Sequence, residues 1–198
     1  MIGKFIKTFL LLIAGMTYVI PAISQYKYDY NWVTGFYYVE GLKRQILDFR
    51  SDTLQVKDQL LPFAFSETNS CISDENGNLL LYFNGCDIAN GRHEILENGS
   101  GFNAGIPGDF ECPKNYGYPG AYQSALILPK PNDPLHHYIF YIRYDNLPTK
   151  IESSLLFAET DLNSGQGIVL YKDRHALTDS VVTLAGLTAV KHSNLEDW

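Results

Sequence analysis

Ser73-Asp74-Glu75-Asn76-Gly77-Asn78-Leu79-Leu80-Leu81-Tyr82-Phe83-Asn84 is the stretch that decides the fold. Its polar middle, Asp74 to Asn78, separates two β-rich runs, Thr68 to Ser73 and Leu79 to Asn84. Asn-Gly is a strong turn signal because both residues tolerate positive φ. The stretch therefore predicts an antiparallel hairpin.

Working outward, the same alternation of short β-rich runs and turn clusters continues. Gln45 to Phe49 precedes the hairpin. After it come Tyr122 to Leu128, His137 to Tyr144, Ser154 to Asp161, Gly167 to Asp173, Val181 to Leu184 and Leu187 to His192. No long stretch after residue 24 carries apolar residues at helical spacing with caps. The chain reads as all-β. Residues 85–120 are rich in Gly and Asn and read as one long ordered loop.

A weak repeat runs through these strands. An apolar strand, a polar turn and an aromatic strand occur at 68–83 and again at 122–142, and 187–192 begins a third unit. Units of antiparallel strands at a period of roughly 40–60 residues predict propeller blades, which need neighbours on both faces. The expectation is an incomplete β-propeller of two to three blades over residues 25–198. The chain stops at Trp198, where the repeat asks for a new strand, so the remaining blades of a longer chain are expected as partners.

The first 24 residues read as an export signal. Lys4 and Lys7 form the positive start, Phe9 to Ile20 is uncharged and apolar, and Pro21-Ala22-Ile23-Ser24 ends it with small residues near the expected cut. The apolar run is shorter than the roughly 20 residues a span requires, so no membrane span is expected after cleavage. The expected location is secreted or cell-surface, by the Sec route. In an oxidising compartment two of the three cysteines can pair. Cys86 and Cys112 are the expected disulfide, closing the long loop, with Cys71 acting as a small hydrophobe in a strand.

Charge and composition exclude some functions. The chain has 15 Lys+Arg against 22 Asp+Glu, a net charge of −7, with 45% hydrophobic and 19% charged residues. Disorder is excluded by the apolar share. No basic cluster is present to replace phosphate counterions, so no nucleic-acid partner is expected.

Ser73 to Cys86, Ile88-Ala89-Asn90 and the Glu97-Asn98-Gly99 to Asn103 stretch resemble the blade hairpins of secreted β-propeller proteins of Bacteroidetes. Val190-Lys191-His192-Ser193-Asn194-Leu195-Glu196-Asp197-Trp198 resembles that family's Lys-His-x-Asn-x-x-Asp-Trp-Trp stretch without its second Trp. The resemblance covers roughly residues 40–198. It implies a WD40-like, seven-bladed architecture, a cell-surface location and type IX secretion, with Gln45 to Phe49 pairing with the final blade to close the ring. The sorting domain typical of that route is not among these residues. No catalytic, cofactor or metal residue is carried over from the family.

The residues themselves point away from familiar chemistry. Around Asp74 the sequence departs from the sialidase Asp-box, and Gly77 and Gly85 fall at the wrong places for an EF-type calcium loop. No G-x-S-x-G elbow places a nucleophile. His136 and His137 are adjacent, so on a strand they face opposite ways. His192, Asn194 and Asp197 read as polar residues of a blade-edge loop, holding a structural hydrogen bond or facing a ligand. Tyr37, Tyr38, Tyr116, Tyr118 and Tyr122 lie in Gly/Pro-flanked stretches where sugar stacking is conceivable. The expected function is a noncatalytic interaction or adhesion platform for a protein or a glycan. The alternative is part of a propeller hydrolase or lyase acting on carbohydrate, with its catalytic groups in other blades. No cofactor is expected.

Overall fold

The computed structural model describes residues 27–35, 41, 43–120, 123–147, 150–163, 165–177 and 186–190. The expected signal segment, and most of the stretch after residue 177, lie outside them. Eleven strands, one short helix and one 3-10 turn make up the regular structure of the described residues. The chain is all-β.

The deciding hairpin forms as expected. Strands β4 (Ser70–Ser73) and β5 (Leu79–Phe83) pair antiparallel, with Ile72 opposite Leu81. Gly77 takes φ +84 and its amide donates to the Asp74 carbonyl at 2.9 Å, a type I turn closed by a left-handed residue. The Asp74 carboxylate accepts the backbone amides of Asn76 and Asn78 at 2.9 and 2.8 Å. Its oxygens are thus committed to the turn.

Two further strands, β6 (Asp87–Asn90) and β7 (Ile95–Ser100), extend β4–β5 into a four-stranded antiparallel meander. This corrects the expectation of a loop over 85–120. The strands are short, carry Asn and Gly, and are broken by a bulge between Asp87 and Ala89. Their β propensity is poor, but Ile88, Ala89 and Leu96 are buried, and packing overrides propensity.

A second meander follows. It consists of β8 (Ala125–Lys130), β9 (Asp133–Leu147), β10 (Lys150–Asp161) and β11 (Ile168–His175). β7 and β11 meet through one parallel bridge, Glu97 opposite Ile168. At the other margin β4 lies beside β8, and the Ile127 amide donates to the Ser70 hydroxyl at 3.2 Å. Eight strands thus wrap into one nearly closed, flattened barrel-like sheet.

A separate three-stranded sheet covers the outside of the first meander. It is built of β1 (Asn31–Thr34), β2 (Arg44–Asp48) and β3 (Gln55–Gln59). Here β2 is central, with β1 and β3 on its two sides, so both its backbone edges are taken. The expectation that Gln45 to Phe49 pairs with a final blade is corrected accordingly. The polar, exposed sequence of β3 and the brevity of β1 kept both partners from being read as strands.

The first meander is therefore buried on both faces. Ile72, Leu81, Phe83 and Ile88 point toward β8–β11 and meet Ile139, Tyr141 and Leu156 there. Tyr82 and Ala89 point the other way and meet Val33, Ile46, Phe63 and Phe65. This explains why Leu79 to Phe83 is apolar at every position. Each such side chain removed from water stabilises the fold by about 1.5–3 kcal/mol. β8 instead alternates buried and half-buried positions, as a strand with one covered face should. Leu187 is described outside any strand, its amide donating to the Gln123 carbonyl at 2.7 Å.

Candidate functional site

At one end of the two meanders the chain leaves β7 and crosses the barrel mouth before entering β8. Residues 101–118 are tied down at several points. Cys86, just before β6, is joined to Cys112, as expected, with Cα atoms 5.5 Å apart. Asn103 donates its side-chain amide to the Gly85 carbonyl at 2.9 Å and its backbone amide to the Asp173 carboxylate at 3.1 Å. The Tyr141 hydroxyl donates to that same carboxylate oxygen at 3.0 Å and accepts the Asp173 amide at 2.6 Å. Tyr118, fully buried, bonds the backbone of Tyr144 through its hydroxyl, to the carbonyl at 3.0 Å and from the amide at 3.1 Å.

Gly85 is required for this closure. It has φ +86, and a Cβ there would lie 2.4 Å from Tyr118 Cβ and 2.8 Å from Thr68 Cγ2. Asn84 completes the anchor, its side-chain oxygen accepting the amides of Cys86 and Asp87 at 2.9 and 2.8 Å.

The fastened loop carries helix α1 (Ile106–Glu111), opened by Gly105 with a proline in its first turn and followed by the 3-10 turn Cys112–Lys114. Its outer side presents Ile106 and Phe110, 64% and 65% exposed. They are one helical turn apart. Lys114 places its ammonium 3.4 Å from the Phe110 ring centroid and pairs with Glu111 at 3.3 Å. The result is a small apolar knob with a charged rim on a rigid base. The i, i+4 spacing of Ile106 and Phe110 was its one legible signal, and it lay inside what reads as loop.

The other expected positions fall elsewhere. His192, Asn194 and Asp197 lie outside the described residues, as do Tyr37, Tyr38 and Tyr122. Tyr118 is buried rather than exposed, and Tyr116 is half-buried. The two adjacent histidines face opposite ways. His136 lies 2.8 Å from the Asp133 carboxylate and 3.6 Å from that of Asp161. His137 is buried at 1% exposure, and burial lowers its pKa to about 4, holding it neutral. Cys71 sits on β4, its thiol donating to the Asn31 carbonyl at 3.2 Å, and burial pushes its pKa up to about 11.

On the outer face of the second meander, Glu159 accepts Lys130 Nζ at 2.7 Å and the Tyr171 hydroxyl at 2.5 Å. Burial works to raise this carboxyl, but the two bonds outweigh it and keep it below the ordinary range. Tyr171 is pushed up to about 12 by burial and by Glu159. At the end opposite α1, an open groove of about 330 Å³ runs past Leu80, Asn90, Arg92 and Leu162. Arg92 is committed there to Glu94 at 2.8 Å and to the Gly165 carbonyl at 2.7 Å. Among the described residues no three His, Cys, Asp or Glu side chains converge as metal ligands, and no helix is long and apolar enough to cross a membrane.

No protein-family model matches the chain, and neither does any curated protein or solved structure. Function must therefore be argued from geometry.

Proposed function

We propose that this chain is an exported, noncatalytic segment of β-propeller kind that serves as an interaction platform of a cell-surface protein. In this reading the three stacked layers are consecutive blades, and β1, β4 and β8 are their inner strands. The reading is supported by the placement of β1 beside β4 and β4 beside β8, each the first strand of an antiparallel meander. Sheets stacked in this way, each burying its faces on its neighbours, are how blades are stabilised. Export is supported by the Cys86–Cys112 bridge, which persists in oxidising compartments.

The observation that carries the platform reading is the rigid α1 knob. Ile106 and Phe110 are exposed on a loop held by a disulfide and by Asn103 and Tyr118, so binding them costs little ordering entropy. Aliphatic and phenyl surface with a charged rim suits a protein groove better than a sugar, which asks for many hydrogen-bonding groups. The test pairs the wild type with Ile106→Ser/Phe110→Ser in cross-linking to the surface fraction of the producing cells and on a glycan array. A protein partner lost in the variant supports the reading. Binding unchanged by the variant, or binding to glycans alone, refutes the protein reading. Export is tested by the mature N-terminus, expected near Gln25; a cytosolic chain that keeps Met1 refutes it.

A further inference from the structure

The segment that carries α1 has one fastening of its own. Hydrogen bonds tie Asn103 to Gly85 and Asp173 on one side of it, and the Asn115 carbonyl accepts the Ala64 amide at 3.1 Å on the other. Between these two points, residues 104–114 bond only among themselves and to Asn115. The Asp109 amide donates to the Gly105 carbonyl at 2.7 Å, and the Asn115 amide donates to the Cys112 carbonyl at 3.0 Å. The Lys114–Glu111 pair is internal as well. Among the described residues, the one bond from this segment to the barrel is the Cys86–Cys112 disulfide. Neither helix propensity nor burial replaces it. α1 has six residues, and helices shorter than about 12 do not hold by themselves in water. Its large apolar side chains, Ile106 and Phe110, are exposed, and only Pro107 and Gly108 are buried. The two sulfurs of the bridge also differ in access. Cys86 is 1% exposed, whereas Cys112 is half-buried at the surface.

We propose that the Cys86–Cys112 bridge is a redox latch on the α1 knob, opened through Cys112 by a dithiol reductant, so that α1 loosens while the barrel stays folded. A thiolate of the dithiol attacks Cys112 Sγ, the bridge breaks, and Cys86 Sγ leaves as a thiolate and takes a proton. The second thiol of the reductant then displaces Cys112 Sγ, which takes a proton in turn, and the reductant departs as a disulfide. Two electrons have passed from the dithiol to the bridge. The step is reversible in place, because the bonds at Asn103 and Asn115 keep the released Cys112 near Cys86 at high effective concentration. A loosened knob must be ordered again on binding, which weakens whatever it binds. That consequence rests on the platform reading; the loosening itself does not.

The test is hydrogen–deuterium exchange read by mass spectrometry on the full chain, oxidised and after treatment with dithiothreitol. Reduction should speed exchange over residues 104–112 at least about tenfold, while peptides from β5, β9 and β10 keep their protection. Re-oxidation should restore the slow exchange. Cys86→Ala/Cys112→Ala should behave as the reduced chain does, with no reductant present. Exchange over 104–112 that reduction leaves unchanged overturns the proposal, because other contacts then hold α1. Protection lost from β5, β9 and β10 together with the segment also overturns it, because the bridge then staples the whole fold. So does a bridge that dithiothreitol fails to reduce in the folded chain. The measurement needs no partner, so a failure of the latch is read apart from a failure of the platform reading, which Ile106→Ser/Phe110→Ser tests.

Discussion

Removing the Cys86–Cys112 bridge is the most direct probe of the loop that carries α1. The bridge closes 26 residues of chain. In the chain-entropy treatment a crosslink of that span removes about 12 cal/mol/K from the unfolded ensemble, or about 3.5 kcal/mol at 25 °C. The term belongs to the unfolded chain. It therefore does not depend on whether Asn103 and Tyr118 still hold the loop in the folded state. For a chain of this size the loss should lower the melting midpoint by about 10 °C. The assay is reversible thermal or urea unfolding of Cys86→Ala/Cys112→Ala against the wild type, with a reduced wild-type sample alongside. Cys71 is kept in all three so that only the bridge differs between them, and unfolding is run in mild acid, where its thiol stays protonated and exchanges slowly. The unfolding slope in urea should also rise, because a chain without the crosslink exposes more surface. A loss below about 1 kcal/mol, with no change on reduction, would refute the reasoning that this bridge constrains the unfolded chain.

Two electrostatic predictions follow from burial. His137 is neutral in the fold, with its pKa lowered to about 4 by burial, while the unfolded chain binds a proton near 6.5. A depressed folded pKa means stability is full above the unfolded value and is lost as pH falls through the window from about 6.5 to about 4, by on the order of 3 kcal/mol. His137→Phe should flatten the stability profile in that window, and a profile unchanged by the substitution would refute the assignment. Asp48, buried beneath Arg50 and Lys57 at 2.6 Å each, is held well below the ordinary carboxylate range, first by its bond from Arg50. Its stabilising effect is present at neutral pH and lost in acid below the usual carboxylate pKa. Asp48→Ala should cost about 1–2 kcal/mol at pH 7, reduced because both cations are partly exposed and can rehydrate, and the cost should shrink steadily as the pH falls below the ordinary carboxylate value, as urea unfolding would measure.

The strands that were legible are those whose pattern reports a single cause. Leu79 to Phe83 is apolar throughout and bounded by an Asn-Gly turn, and His137 to Tyr144 is dense in aromatic and β-branched residues. Local propensity and packing agree in both, and both strands form. Asp87–Asn90 and Ile95–Ser100 failed for the opposite reason. Their backbones are strands because Ile88 and Leu96 reach a core built by other segments, while their own Asn and Gly favour turns. β3, with the sequence Gln-Val-Lys-Asp-Gln, has no buried face and is a strand through its ladder with β2 alone. The disulfide was legible because three cysteines leave few pairings and Cys86 and Cys112 flank one Gly/Asn-rich stretch. The α1 knob was not, because an exposed Ile and Phe in a Gly/Pro-rich stretch read the same whether the stretch is loose or bolted down. What bolts it down is Asn103, Tyr118 and Tyr141, whose partners are 18 to 32 residues away in sequence.

The contrast between the two hairpins carries one more consequence. In a stack of sheets, an inner layer must be apolar on both sides of each strand, whereas an outer layer alternates. By that rule Leu79 to Phe83 belongs to an inner layer, and it is one. β9 does not alternate as an end layer facing water should. Its inward positions are Ile139 and Tyr141, and its outward positions are Tyr138 and Phe140, also large and aromatic. β10 adds Phe157 on the same outer side, and β8 adds Leu126 and Leu128. A solvent-facing antiparallel sheet would carry polar residues there. The outer side of the second meander thus mixes large aromatic and leucine side chains with His136 and the Lys130–Glu159 pair. It joins an aromatic cluster to that pair, a larger apolar patch than the singly scattered residues of an ordinary surface.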